Sequence, residues 1–177
     1  LQDIKCNLHF ILFSTIDIYS PPIEVDEDTI QTNKIHYYGL HRRILESKLK
    51  KLYGDKFKSI RLPALVGKNL KKNIIYDLLE NNNIENINMV SKFQWFNLKH
   101  IEYFINYLIE KNISKLNISS EPIYNYEIVE RFFSEYSWIL NNRNESTKAE
   151  YNMFSKYTLT NSKYFFRKEE VLNNHLK

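Results

Sequence analysis

The run Leu8-His9-Phe10-Ile11-Leu12-Phe13, closed by Ser14-Thr15, decides the fold of this chain. A short, continuous apolar run bounded by small polar residues suits a strand buried on both faces, as in a parallel sheet. Just after it, Pro21-Pro22 imposes irregular backbone and residues 24–28 read as an acidic loop. From Tyr38 the period becomes helical, with Leu40, Ile44, Leu45, Leu49 and Leu52 on one stripe and Gly54 as the stop. Residues 57–62 predict a second strand, closed by Pro63. After Gly67 a helix carries Ile74, Ile75, Leu78 and Leu79 and runs out in Asn81-Asn82-Asn83. Residues 93–96 form a short strand, and Asn97 caps a helix bearing Leu98, Ile101, Phe104, Ile105, Leu108 and Ile109. Residues 113–118 are a further strand, Pro122 precedes a helix with Ile128, Val129, Phe132 and Phe133, and residues 167–176 are a last helix. Strands alternating with helices argue for an α/β fold with a largely parallel sheet.

Composition excludes several classes. The 177 residues are 43% hydrophobic and 26% charged, ordinary for a globular chain, and no run of 18 apolar residues crosses a membrane. The single Cys6 makes no internal disulfide, which points to the cytoplasm. Net charge is +4, but the basic stretches at 42–51 and 68–72 are interrupted by apolar residues at helical spacing. Those are solvated helix faces rather than a nucleic-acid footprint. No His, Cys, Asp and Glu cluster has metal-ligand spacing, and Trp95 and Trp138 read as packing residues.

Ligands of open α/β sheets bind outside the carboxyl ends of the strands. Three segments converge there: Ser14-Thr15 after the first strand, Tyr38 opening the next helix, and Pro63-Ala64-Leu65 after the second strand. Tyr38 and Arg42, spaced i and i+4, share a helical face. A fixed cation favours phenolate and brings a phenol closer to use as an acid/base at neutral pH. A hydroxyl such as that of Thr15 holds a substrate oxygen while Tyr38 moves its proton, the hydride being carried by a cofactor.

The order of these segments resembles a known family. Phe13-Ser14-Thr15-Ile16-Asp17-Ile18-Tyr19 is similar to the S-(S/T)-x-x-V-Y segment of extended short-chain dehydrogenases, the NAD-dependent epimerase/dehydratase family. Tyr37-Tyr38-Gly39-Leu40-His41-Arg42 resembles its Y-G-x-x-K segment, and Ile60-Arg61-Leu62-Pro63-Ala64-Leu65-Val66-Gly67 its R-x-x-x-x-x-G strand end. Gln94-Trp95-Phe96 stands where the family has R-x-F, and Asn117 to Pro122 is similar to N-x-x-x-G-E-P. The resemblance implies a Rossmann-type parallel sheet with a small α+β substrate lobe. Residues 1–67 would hold the late strands and the catalytic helix, 68–140 the lobe and returning elements, and 141–177 a partly helical tail. It implies an NAD(P)-dependent epimerase or reductase of a sugar, nucleotide-linked, with Tyr38, Thr15 and Arg42 catalytic. Ser14, Thr15, Tyr38, Arg42, Pro63, Ala64 and Leu65 would then face NAD or NADP, and Lys68 and Lys71 the substrate. It also implies a homodimer through the Tyr-bearing helix.

Two departures qualify that expectation. Arg42 stands where the family has Lys, and a guanidinium aims its charge differently from an ammonium. The chain's three glycines, Gly39, Gly54 and Gly67, are scattered singly, so the G-x-x-G-x-x-G turn that cradles the cofactor's pyrophosphate is not in these residues. The expectation is therefore a C-terminal portion with an exposed sheet edge and little dinucleotide affinity by itself, and the rival is a catalytically impaired relative serving as a binding or regulatory module. Asp17, with no Glu after Thr15, disfavours dehydration.

Overall fold

Parallel pairing of Phe10–Thr15 (β1) with Phe57–Leu62 (β3) builds the heart of the molecule, a computed structural model that describes residues 8–30 and 36–176. The pairing runs from Phe10 against Phe57 to Thr15 against Leu62, and β3 pairs in parallel with Lys115–Asn117 (β7), giving the order β1-β3-β7. Every residue of central β3 is buried. β1, at the edge, departs from the expectation of burial on both faces: Phe13 is 46% exposed, because no strand among the described residues covers its outer side. Cys6 lies outside the described residues.

Helix α1, Tyr37–Tyr53, covers one face of this sheet and α3, Ile101–Glu110, the other. Strand alternation sends Ile60 and Leu62 into a core with Phe104, Leu108 and Leu116, and sends Arg61 to the α1 side, where it meets Glu46. α1 ends at Gly54, whose φ of +54° and ψ of −129° fall where a Cβ is disfavoured. A Cβ there would meet nothing within 4 Å, so Gly54→Ala costs backbone energy alone, and thermal unfolding should register a loss of about 1–2 kcal/mol.

Beyond Pro63 the chain leaves the main sheet. Ala64–Val66 (β4) pairs in parallel with Trp95–Asn97 (β6), Lys92–Phe93 (β5) runs antiparallel to Ile123–Tyr124 (β8), and Ile23–Val25 (β2) pairs with Asn152–Met153 (β9). Between them lie α2, Asn73–Glu80, closed by Asn81 in the left-handed conformation, and α4, Asn125–Phe132, where the Glu127 carboxylate accepts from the Tyr124 N–H. Asn97 caps its turn by accepting from the Lys99 N–H. These elements enclose a second core around Leu78, Met89, Trp95, Ile123, Ile128 and Val171. Trp138, expected to pack, is 60% exposed on a short 3-10 segment. The stretch from 141 onward is woven in: Met153, Val171 and Leu172 are buried, the latter two in a π turn following Lys168–Glu170 (α5).

One buried amide ties this last stretch to the rest. Gln94 donates from Nε2 to the carbonyls of Ser120 (2.5 Å) and Met153 (2.8 Å) and accepts from the Met153 N–H (2.7 Å). Gln94→Leu would strand three buried backbone groups, and its expected cost is about 2–4 kcal/mol. Calorimetry should show the midpoint falling by about 2–4 °C for each kcal/mol at this chain length.

Candidate active site

Thr15 closes β1 at the carboxyl rim. Its Oγ1 accepts from the Asp17 N–H (3.2 Å), capping the turn Ile16–Ile18, and donates to Asp17 Oδ2 (2.9 Å). Pro63 and Ala64 leave β3 beside it. Together with Asp17, Phe93, Gln94 and Tyr151 these residues wall a cavity of about 160 Å³. The cavity thus sits where a twisted parallel sheet places ligands, outside the strand ends.

Tyr38, half-exposed, occupies the first turn of α1 and lines a neighbouring cleft of about 530 Å³ with Asp17, Tyr19, Ser20, Pro22, His36 and Tyr151. The Arg42 guanidinium lies over its ring, 5.3 Å from the centroid. Among the described residues no hydrogen bond joins Tyr38 to Thr15; Asp17 and Tyr151 stand in the walls of both clefts and separate them. The other sequence-derived site residues divide further. Ser14 is buried, with its Oγ unpartnered among the described residues. Leu65 and Lys68 line a third cleft of about 330 Å³ with Lys72, Asn73 and Tyr76, whereas Lys71 is exposed and outside it.

Nothing local in the sequence marks Tyr151. One of 13 tyrosines and 134 positions from Asp17, it donates from its hydroxyl to Asp17 Oδ1 (3.2 Å), with its ring stacked on Phe93 at 5.1 Å. Burial, reinforced by the Asp17 carboxylate, pushes its phenol up to about 12. A phenol raised above its unfolded value contributes stability that is complete below about pH 10 and is lost as pH climbs toward 12. Tyrosine ring NMR should therefore show the Tyr151 phenol titrating late, with Tyr19, Tyr107 and Tyr164 also raised, and Asp17→Asn should lower Tyr151 only in part, because burial is the larger cause.

The partner of Arg61 was equally invisible. Its guanidinium forms a fork on Glu46 (Nε to Oε1 3.2 Å, Nη2 to Oε2 2.7 Å) and donates from Nη1 to the Tyr19 hydroxyl (2.6 Å). Tyr19 donates to the Asp26 carbonyl (2.7 Å) and accepts from Asn117 Nδ2 (3.0 Å). This network pins the floor of the Tyr38 cleft to α1, β3 and β7. Among the described residues no His, Cys, Asp and Glu group is placed to hold a metal, and no helix is long and apolar enough to cross a membrane.

No family model matches the chain, and no curated protein does. Solved structures do. The dTDP-4-dehydrorhamnose reductase of Yersinia enterocolitica superposes with a TM-score of 0.68 at 15% identity, over 95% of this chain and 66% of its own. The dTDP-4-dehydrorhamnose reductase of Bacillus anthracis, solved with NADP, gives 0.62 at 20% identity over 82% and 56%. The dTDP-glucose 4,6-dehydratase of the same organism, solved with NAD, gives 0.57 at 14% identity over 82% and 52%. The chain thus has the Rossmann-type fold of NAD(P)-dependent epimerase/dehydratase and reductase proteins, and it spans between about half and two thirds of their length.

Proposed function

We propose that a chain with this fold carries the acid/base and substrate-binding portion of an NAD(P)-dependent reductase or epimerase acting on a sugar carbon, the sugar being nucleotide-linked. The carrying observation is the cavity at the carboxyl rim, where the Thr15 hydroxyl, Pro63 and Ala64 meet, with Tyr38 in the adjoining cleft. The residues present suit the nicotinamide end of the cofactor: the Thr15 Oγ1 at one wall, with the Pro63 and Ala64 side chains offering an apolar surface beside it. The glycine-rich pyrophosphate cradle is not among these 177 residues. NAD or NADP, when bound, supplies or takes the hydride.

The chain's own groups handle the proton. Tyr38 gives its phenolic proton to the substrate oxygen in reduction and takes it back in oxidation. The Arg42 guanidinium lies over the Tyr38 ring face, 5.3 Å from its centroid, and holds the ring in place beside the cleft. Thr15 turns its O–H from Asp17 to the same oxygen and orients it. Lys68, which lines the cleft with Leu65, would meet the substrate's diphosphate as an exposed cation. A homodimer through α1 accords with the exposure of Ile44 and Leu52 on that helix.

The test is sugar-dependent oxidation of NADPH or NADH by the protein as its natural source makes it, over a panel of nucleotide-linked keto sugars. The reading expects turnover with at least one. Cofactor binding without turnover on any would instead favour the impaired relative, which the position of Arg42 over the Tyr38 ring supports.

A further inference from the structure

Asp17 and Tyr151 stand at the junction of the two rim clefts, and neither has a role in the proton transfer above. The Asp17 carboxylate accepts from Thr15 on Oδ2 and from Tyr151 on Oδ1. It is half-buried, and among the described residues no cation forms an ion pair with it. A carboxylate held that way retains lone pairs for further donors. Tyr151, whose phenol stays protonated well above neutral pH, presents an O–H that can only donate or accept as a neutral group. Phe93, stacked on Tyr151, adds a flat apolar wall. Acceptor, donor and aromatic faces together suit a neutral polyhydroxylated ring, whose hydroxyls donate, whose oxygens accept and whose C–H faces lie on arenes. The unpaired negative charge repels phosphates and carboxylates from the same spot.

Resting on the reading of the site as a sugar oxidoreductase, we propose that Asp17 and Tyr151 form a clamp for a sugar hydroxyl neighbouring the reacting carbon. The hydroxyl donates to the Asp17 carboxylate, and the Tyr151 O–H, released from Asp17, donates back to that hydroxyl's oxygen. The clamp selects substrates bearing a hydroxyl at this position and fixes the ring so that the reacting oxygen faces Thr15 and Tyr38. Tyr151 and Asp17 are positioning and specificity residues; they do not exchange the reacting proton.

The experiment compares UDP-glucose with its 2-, 3-, 4- and 6-deoxy analogues, using saturation-transfer NMR on the full protein to read binding apart from turnover. One deoxy analogue should bind about 10–100-fold more weakly than UDP-glucose, the worth of a hydrogen bond to a charged group. In Asp17→Ala that discrimination should vanish, in Asp17→Glu it should partly return, and in Tyr151→Phe, which keeps the stack on Phe93, it should fall several-fold. Unchanged discrimination in both Asp17→Ala and Tyr151→Phe overturns the clamp. If that happens while Tyr38→Phe still abolishes turnover, the clamp alone fails and the oxidoreductase reading stands. If the wild-type protein binds none of the five, both fall.

Discussion

Arg61→Met is expected to destabilise the protein by about 3–5 kcal/mol, because it leaves a buried carboxylate without its counter-charge. The pair's side chains are 7% and 9% exposed, so water cannot replace the lost partner. The Tyr19 hydroxyl loses a donor in the same stroke, and Tyr19 links the 3-10 turn after β1 to Asn117 on β7. A loss of that size is a large share of the 5–15 kcal/mol that holds a typical domain together. Thermal unfolding should show the midpoint lowered by about 6–20 °C. Arg61→Met combined with Glu46→Leu should recover much of the loss, since a buried ion pair replaced by apolar residues of similar volume is often near neutral. A single variant as stable as the wild type would mean that Glu46 finds water or another cation.

Tyr38→Phe is the second large effect. Removing the phenolic oxygen leaves ring, helix and fold in place and deletes the proposed acid/base, so turnover should drop by about 10²–10⁴. Binding of the nucleotide sugar should change little, because the proposed contacts to the ring and the diphosphate lie at Asp17, Tyr151 and Lys68. Thr15→Val should weaken turnover less, as its proposed part is to orient an oxygen rather than to exchange its proton. It should also loosen the end of β1, where Oγ1 caps the turn to Asp17. Measuring kcat and unfolding midpoint on the same preparations separates the two consequences.

How much of this was legible depended on sequence distance. Local rules succeeded where the deciding partner is a few residues away. Asn97 caps its turn because its side chain reaches the N–H two residues on, Gly54 ends α1 because the chain needs positive φ there, and Asn81 tolerates the left-handed conformation that closes α2. Periodicity likewise found α3, whose Phe104 and Leu108 lie one turn apart in the core. It failed for β1, because an apolar run records what a strand can bury and not whether a neighbour is there to bury it; Phe13 shows the difference. The site split along the same line. Thr15, Pro63 and Ala64 could be placed on one rim from strand order alone, and they share a cavity. That Asp17 and Tyr151 would stand between Thr15 and Tyr38 could not, since it depends on a tyrosine arriving from 134 residues away with nothing local to mark it. Glu46 is similar: one charge on a helix stripe, whose meaning appears only when Arg61 lies beneath it.

In the proposed reaction a hydride and a proton reach one sugar carbonyl at the rim that Thr15 and Tyr38 border. Cofactor deuterated at the transferable position of the nicotinamide, incubated with the natural protein and a nucleotide-linked keto sugar, tests this by following the label into the sugar. The label should appear on the reduced carbon, at a rate about a hundredfold or more lower in Tyr38→Phe. A sugar that stays unlabelled, or a Tyr38→Phe protein that transfers deuterium as fast as the wild type, would contradict it.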